Sequence, residues 1–503
     1  MNRTSLQRYL LVLVGLALLS APAGAATGSA TALDLADRVI EHRLANGLTL
    51  LLMERHQAPI VAVNLTYKVG GVNEHNGITG VAHLYEHMAF KGSRTIGVTD
   101  AREEQPVLEQ LDRLADAIMA EKARGPAANQ ARLATLQKQF ADIEAQADRF
   151  VVPAELATLY QRHGGVGLNA TTGKDLTRYF LSFPANRLPL WAAVESDRMA
   201  NGVLREFYKE KQVVLEERRL RTDNSPSGRL HEAFTAAAFQ AHPYGLPVIG
   251  WPSDLEGLSK AQTEAFFQTY YGPANAVLTI VGDITPTDVI ALVEQTFGRL
   301  QARPPSPLVQ TTEPPQTGER RVEVEYDAEP QVLIGFHKPS AGHPDDVVFD
   351  VIESLLSGGR TSRLHKRLVQ EQQLAATVSA FSSYPGAQYP HLFVIGATPR
   401  APHTAAEIEQ TIYAELDRLK NEPVTPRERD KILNQIDAAH VRALRSNSGM
   451  ASYLGYFHAI TGDWREMFMQ RDRIAKVRPE DIQRVTAQYF TKRNRIVATL
   501  VKP

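Results

Sequence analysis

Two histidines four residues apart, with a glutamate directly before the second, are the residues of this chain best spaced for metal chemistry: His83, Glu86 and His87. On a helix, positions i and i+4 project from one face, so both imidazoles reach one ion. Neutral imidazole suits Zn²⁺, which takes nitrogen, sulfur or carboxylate ligands in a tetrahedral site. Glu86 lies on the same side and is placed to take a proton from a water that the metal activates. The competing reading is a helix whose histidines make ordinary hydrogen bonds. In a chain with 15 His, chance produces such a motif with odds on the order of 3%. The five residues alone leave both readings open.

A catalytic zinc needs a third protein ligand and an open fourth position. The stretch Glu206 to Arg219, EFYKEKQVVLEERR, offers a second acidic helix. Glu210 and Glu217 are seven apart, two turns, and share one face. Val213, Val214 and Leu215 between them are expected to be buried and to hold this helix against the core. Glu216 is expected to face solvent.

These residues need a scaffold, and the chain is long enough for more than one core. At 503 residues, two or more domains are expected. A hydrophobic fraction of 43% with 22% charged residues is that of a folded globular chain and excludes disorder or fibre. Residues 1–25 have the layout of a cleaved secretory signal peptide: Arg3 and Arg8, an apolar run from Tyr9 to Leu19, then Ala23-Gly24-Ala25. That run is too short for a membrane span, which takes about 20 residues, and no later segment offers one. The absence of Cys fits the bacterial periplasm better than a disulfide-stapled secreted fold. Loss of Arg3 and Arg8 leaves 53 basic against 56 acidic residues, which gives no electrostatic footprint for nucleic acid.

Two halves flank a Pro-rich linker, Arg303 to Glu319, within 301–320. The run Tyr270-Tyr271-Gly-Pro-Ala-Asn275 returns as Tyr489-Phe490-Thr-Lys-Arg-Asn494, at an offset of 219. Ala58-Pro59 and the strand-like run after it match Glu329-Pro330, at an offset of 271. Two matched landmarks in order point to duplication, with about fifty extra residues in the first half. Those residues read as an inserted helical hairpin within 103–160. Leu108, Leu111, Leu114 and Ile118 form one apolar stripe, and Leu133, Leu136, Phe140 and Ile143 form the other. Gly125-Pro126 separates them. The remaining pattern is α+β, with an antiparallel sheet and helices covering one face in each half. Leu48–Met53 and Ile60–Lys68 read as strands, and Pro286–Phe297 reads as a helix capped by Thr285.

Taken together, the residues resemble the M16 family of zinc metallopeptidases, which includes pitrilysin, insulin-degrading enzyme and the mitochondrial processing peptidase. The most specific part is GITGVAHLYEHMAFKGS, residues 77–93. The resemblance implies two homologous domains of the LuxS/metallohydrolase-like type, at 35–300 and 321–503, with metal only in the first. It also implies one Zn²⁺ per chain held by His83, His87 and Glu217, Glu86 as general base, and Glu210 orienting a histidine. The family places about 75 residues between motif and third ligand, against 130 from His87 to Glu217. The insertion accounts for the excess. Gly164 to Asp175 resembles the family's substrate-binding edge strand, with Asn169 and Ala170 in contact with an extended peptide. HPYG, His242 to Gly245, also matches and is read as a structural turn.

One departure bears on function. Active single-site relatives carry an Arg and a Tyr in the second half, and the Tyr helps stabilise the oxyanion. Here Val369 and Ala376 stand at those positions, and neither side chain donates a hydrogen bond. Residues 354–359, SLLSGG, sit where metal ligands stood in the first half. The expectation is therefore the zinc-bearing subunit of a periplasmic heterodimer, with a related M16 subunit supplying Arg and Tyr. A homodimer or monomer that stabilises the oxyanion otherwise, and a non-catalytic M16-fold scaffold, are the alternatives.

Overall fold

The apolar runs TLLLM, IVAVNL and AVLTIV become strands buried on both faces, and the source of the second cover explains the architecture. The computed structural model describes residues 35–503; the expected signal peptide lies outside them. The first half contains β1 (Val39–Arg43), β2 (Thr49–Glu54), β3 (Ile60–Tyr67) and α1 (Val81–Met88), then α2 (Ala101–Lys122) and α3 (Gln130–Ala147). It continues with β4 (Val166–Thr172), β5 (Thr177–Pro184), α4 (Phe207–Arg218), α5 (Pro226–Ala238) and β6 (Ala276–Gly282). The second half contains β7 (Arg320–Glu325), β8 (Gln331–Lys338), α6 (Asp346–Ser357), β9 (Ala375–Tyr384) and β10 (His391–Pro399). It ends with α7 (Pro426–Arg445), α8 (Asn447–Thr461) and β11 (Arg495–Val501). Among the described residues no helix is long and apolar enough to cross a membrane.

The strand order is β1-β2-β6-β3-β5-β4 in the first sheet and β7-β11-β8-β10-β9 in the second. Without β1 the two orders are the same, with one parallel pair each, β2 with β6 and β7 with β11. Register corrects one sequence offset. Val63 pairs with Ile280, and Val332 pairs with Thr499. The β6-to-β11 offset is thus 219, as expected, but β3 maps onto β8 at 269 rather than 271. The matched Pro residues lie in the preceding loops, whose lengths differ. Asn275 and Asn494 do the same work in each half. Asn275 donates to Lys68 O at 3.1 Å and Tyr270 O at 2.8 Å. Asn494 donates to His337 O at 2.8 Å and Tyr489 O at 2.9 Å.

Each half covers one face of its sheet with its own helices, as expected. The other face is covered by a helix from the opposite half: α8 lies on β3 and β6, and α5 lies on β7, β8 and β11. Both helices start on the same Ser-x-x-Gly cap. Ser225 Oγ accepts from Gly228 N at 3.1 Å, and Ser446 Oγ accepts from Gly449 N at 3.0 Å. Met450, Ala451 and Leu454 pack on Leu51, Met53 and Val281; Leu230 and Phe234 pack on Leu333, Ile496 and Leu500. Gly335 makes room for this exchange, since a Cβ there would sit 2.5 Å from Phe234 Cζ. A fully buried Leu or Phe contributes roughly 2 kcal/mol, so the exchanged helices bind the halves into one body. A second tie is polar. Buried Asp175 accepts from Tyr244 Oη at 2.5 Å and from the backbone N–H groups of Ala387 at 2.7 Å and Gln388 at 3.2 Å. This is the role of the HPYG turn.

Helices α2 and α3 pack against each other across a 3₁₀ turn at Gly125–Ala127, and Leu108, Leu111 and Ile143 on them are buried. Residues 301–317 form no helix or strand. Thr285 occupies its expected N-cap position, but its side chain makes no capping hydrogen bond.

Candidate metal centre

Helix α1 is seated by two carboxylates at its start. Buried Glu74 accepts the N–H groups of Gly80 and Ala82, each at 2.8 Å. Asp254 accepts from Gly77 N at 2.9 Å and Thr79 Oγ at 2.6 Å. Negative charge there complements the helix dipole and satisfies N–H groups that no intrahelical carbonyl reaches. Burial pushes the Glu74 carboxyl up to about 7, against the pull of those N–H donors. Gly80, at φ +87°, is required twice over, because a Cβ there would also lie 2.7 Å from Ile249 O. Val81, Ala82, Leu84, Tyr85 and Met88 are buried in the first core. His83, Glu86 and His87 are left facing a cavity.

Helix α4 supplies the other wall. Of its expected apolar wedge, Val214 is fully buried and Leu215 packs against the core, whereas Val213 is 48% exposed. What holds α4 is largely polar. Buried Lys211 donates to Leu258 O at 2.7 Å, and buried Arg218 donates to Gly250 O and pairs with Glu232, both at 2.8 Å. Glu217 is thereby fixed at the helix end, where a π-helical turn, Arg219–Asp223, begins. Such turns concentrate at functional sites. Glu216 faces solvent and pairs with Arg219 at 2.8 Å.

The geometry brings His83, His87 and Glu217 together, with one potential ligand atom from each within 4.8 Å of the others. Glu217 Oε2 lies 3.6 Å from His83 Nε2 and 3.4 Å from His87 Nε2. It is also buried without a hydrogen-bond partner. A buried carboxylate oxygen without a donor costs free energy unless a cation occupies the point it faces. Two nitrogens and one oxygen converging there are a donor set that Zn²⁺ accepts, so the residues fit the metal. Burial, reinforced by the His87 and Arg221 charges, drives the His83 imidazole down to about 3, which keeps it neutral and available as a ligand. Burial also opposes charge on His87, yet hydrogen bonding to Glu210 and the nearby carboxylates outweigh it and raise its pKa.

Glu210 Oε2 lies 3.2 Å from His87 Nδ1, so Nε2 is the nitrogen presented to the site. Its other oxygen pairs with Lys91 Nζ at 2.5 Å, and Lys91 also reaches Glu206 at 3.0 Å. Burial works against the Glu210 charge, but His87 and Lys91 prevail and lower its pKa. Glu86 is buried beside the ligands, and burial raises its pKa despite a hydrogen bond from Thr172 Oγ at 2.5 Å. Thr172 belongs to β4, the free edge of the first sheet. Asn169 on that strand is exposed, while the Ala170 methyl is buried, and both line the same cavity of about 630 Å³ as the ligands. Val369 packs on the second core, and Ala376 is exposed on β9.

Three participants were not singled out from the sequence. Lys91, Thr172 and Arg221 each touch a motif residue, and Arg221 lies 2.8 Å from Glu217 Oε1. Arg221 stands four residues after Glu217, a helical spacing that could have exposed it. Lys91 and Thr172 carry no such signal. Arg205 explains how the inserted helices bear on the site: buried, it donates to Glu104 on α2 at 2.9 Å and to Lys91 O at 2.8 Å.

Known proteins resemble this chain in sequence and in fold. Residues 49–101 match the family described as Insulinase (Peptidase family M16), and residues 257–436 match Peptidase M16 inactive domain. The zinc protease PqqE of Helicobacter pylori is 28% identical over 469 residues, 92% of each chain. The crystal structure of a protease from Helicobacter pylori superposes with a TM-score of 0.78 at 27% identity, covering 92% of this chain and 99% of that one. A peptidase M16 inactive domain from Pseudomonas fluorescens shares the fold, with a TM-score of 0.73 at 15% identity, over 92% of this chain and 98% of its own. With both family segments matched and the two-sheet fold shared along nearly the whole described length, the chain belongs to the M16, or insulinase, family of peptidases.

Proposed function

We propose that the chain is a zinc-dependent endopeptidase that hydrolyses peptides or unfolded polypeptides bound in extended form. One observation carries this reading: two imidazole nitrogens converge on a buried, unpartnered oxygen of Glu217 beside Glu86, in a cavity that also opens on a free strand edge. His83 and His87 would hold Zn²⁺ through Nε2 and Glu217 through Oε2. When bound, the metal supplies Lewis acidity toward the scissile carbonyl and toward water. Glu210 keeps the His87 proton on Nδ1. The peptide backbone pairs with β4 at Asn169 and Ala170, which gives affinity whatever the side chains. Thr172 holds Oε2 of Glu86, so Oε1 takes the proton of the attacking water and returns it to the leaving amine. The metal-bearing domain is 35–300, with the inserted hairpin within 103–160; a linker at 301–320 joins it to 321–503. Export through residues 1–25 would deliver the chain to the periplasm.

The oxyanion divides two versions of this reading. Val369 and Ala376 offer no donor, which favours a heterodimer whose related second subunit supplies an Arg and a Tyr, or a homodimer. Arg221, 71% exposed in the cavity and anchored on Glu217, favours a chain active alone. Cleavage of an unfolded peptide should require stoichiometric zinc and stop with a chelator. Purified chain assayed alone and with an M16-like partner separates the versions: full activity alone dismisses the partner. Stoichiometric zinc without turnover in either assay would leave a non-catalytic binding subunit.

A further inference from the structure

The edge strand of the first sheet borders two spaces. On β5, Thr177, Tyr179, Leu181 and Phe183 are buried, while Arg178, Phe180 and Ser182 are half-buried on the opposite face. Across the β4–β5 register, Ala170 pairs with Tyr179 and Thr172 with Thr177, on the zinc side. Thr171 pairs with Arg178, and both line the side facing the second half. There, a groove of about 600 Å³ lies between the β4–β5 hairpin and the junction of α7 with α8. Its apolar walls include Val166, Phe180 and Tyr453, of which Val166 is 64% and Tyr453 40% exposed.

The charge of this groove is one-sided. Arg178 and Arg442 line it, and no Asp or Glu does. Arg178 donates to Ser452 Oγ at 3.1 Å, and among the described residues neither arginine forms an ion pair. A half-buried guanidinium without a carboxylate is under-compensated, because its desolvation is offset only by one neutral acceptor.

We propose that this groove is a specificity subsite that takes a carboxylate from the bound peptide. The inference rests on the peptide pairing with β4 as described above. A strand added there points alternate side chains to the two faces of the sheet, so every second residue is directed to the groove. Strands are spaced by about 4.8 Å, which puts the added strand roughly 10 Å from β5, within the joint reach of a glutamate and an arginine. Backbone pairing is indifferent to sequence; Arg178, Arg442 and the apolar walls supply the selection. The carboxylate comes from an acidic side chain or from the peptide C-terminus.

The test uses the zinc-loaded chain and internally quenched ten-residue peptides, amidated and identical except for Glu, Gln or Lys scanned along them. Glu at alternate positions should raise kcat/KM by about tenfold over Gln, with Lys lower still. That Glu-to-Gln ratio should fall toward one in Arg178→Gln with Arg442→Gln, persist in Arg178→Lys, and invert toward Lys in Arg442→Glu. A Gln peptide with a free C-terminus tells the two carboxylate sources apart. The same ratios read as Kd by fluorescence anisotropy on Glu86→Gln separate the groove from the chemistry. Binding preference without cleavage would sink the peptidase reading alone. A ratio of one in the wild-type chain, or a preference that survives the double substitution, overturns the subsite.

Discussion

The two halves share strand order, parallel pair and exchanged helix, yet among the described residues only the first gathers side chains that could hold a metal, and the second half shows which parts of the site belong to the fold. Register maps β4 onto β9 through Ala170 with Tyr179 and Ala380 with Ile395, so Thr172 corresponds to Ser382. Thr172 holds Glu86 on α1. Ser382 makes the same kind of contact with α6: its Oγ donates to Asp350 at 2.6 Å and its N–H to Glu353 at 2.7 Å. A strand-to-helix bond onto a carboxylate is therefore a property of the scaffold. Aligning HMAFKG with SLLSGG puts Asp350, Glu353 and Ser354 where His83, Glu86 and His87 stand. The Ser-x-x-Gly caps put Lys431 and Ala438 where Glu210 and Glu217 stand. Imidazoles on one helix and carboxylates on the next distinguish the first half. The acid on the first helix does not.

The largest expected effect separates the paired acids. Glu86→Gln should keep zinc and lower turnover by about 10³-fold, the scale of a lost general base. Glu353→Gln should leave turnover unchanged, which peptide hydrolysis with parallel metal analysis will read. Equal losses would mean that the acids serve the fold alone. Next in size is the acidic helix. Glu217→Ala should abolish stoichiometric zinc, and Glu210→Ala should weaken zinc by roughly 10- to 100-fold, as expected when a ligand's hydrogen-bond partner is lost. A fully metallated Glu217→Ala rejects it as ligand.

A pH series probes the asymmetry between the two imidazoles. Protons and metal compete for Nε2, and His87, with its raised pKa, is protonated before His83, which stays neutral down to about pH 3. Apparent zinc affinity should fall as pH drops below the His87 pKa, by about tenfold per unit as one proton is displaced. Competition with a chromophoric chelator between pH 5 and 7 measures the slope. A slope of two would show that both imidazoles titrate together.

The sequence made the helical elements of the site legible for a physical reason. Helical spacing turns residue numbers directly into faces, so His83 with His87 and Glu210 with Glu217 were readable as pairs. Gly80, Glu74 and Asp254 seat the helix through backbone N–H groups, and a backbone partner leaves no trace in side-chain spacing. Thr172 and Lys91 reach the site through sheet register and a loop, both tertiary facts. Duplication was legible through Asn275 and Asn494 because one bond of each is local, to the carbonyl five residues before it, and so leaves an aromatic-turn-Asn pattern in the chain. The reciprocal cover by α5 and α8 was not, since an apolar helix does not reveal which sheet it will bury. Val213 is exposed because α4 is clamped by the buried polar side chains of Lys211 and Arg218 rather than by a continuous apolar wedge.

The smallest expected effect tests what the halves have in common. Asn275 and Asn494 each satisfy two carbonyls at the same turn, and neither lines the metal cavity. Replacing either by Ala leaves two acceptors without their donor, at a cost of about 1–2 kcal/mol. If α5 and α8 lock the halves into one cooperative body, both variants should lower a single thermal transition by a few degrees and by equal amounts. Two resolved transitions, each sensitive to one asparagine, would instead show halves that unfold independently. Calorimetry of the two variants, with zinc content unchanged in both, decides whether chemical divergence has left the structural duplication energetically even.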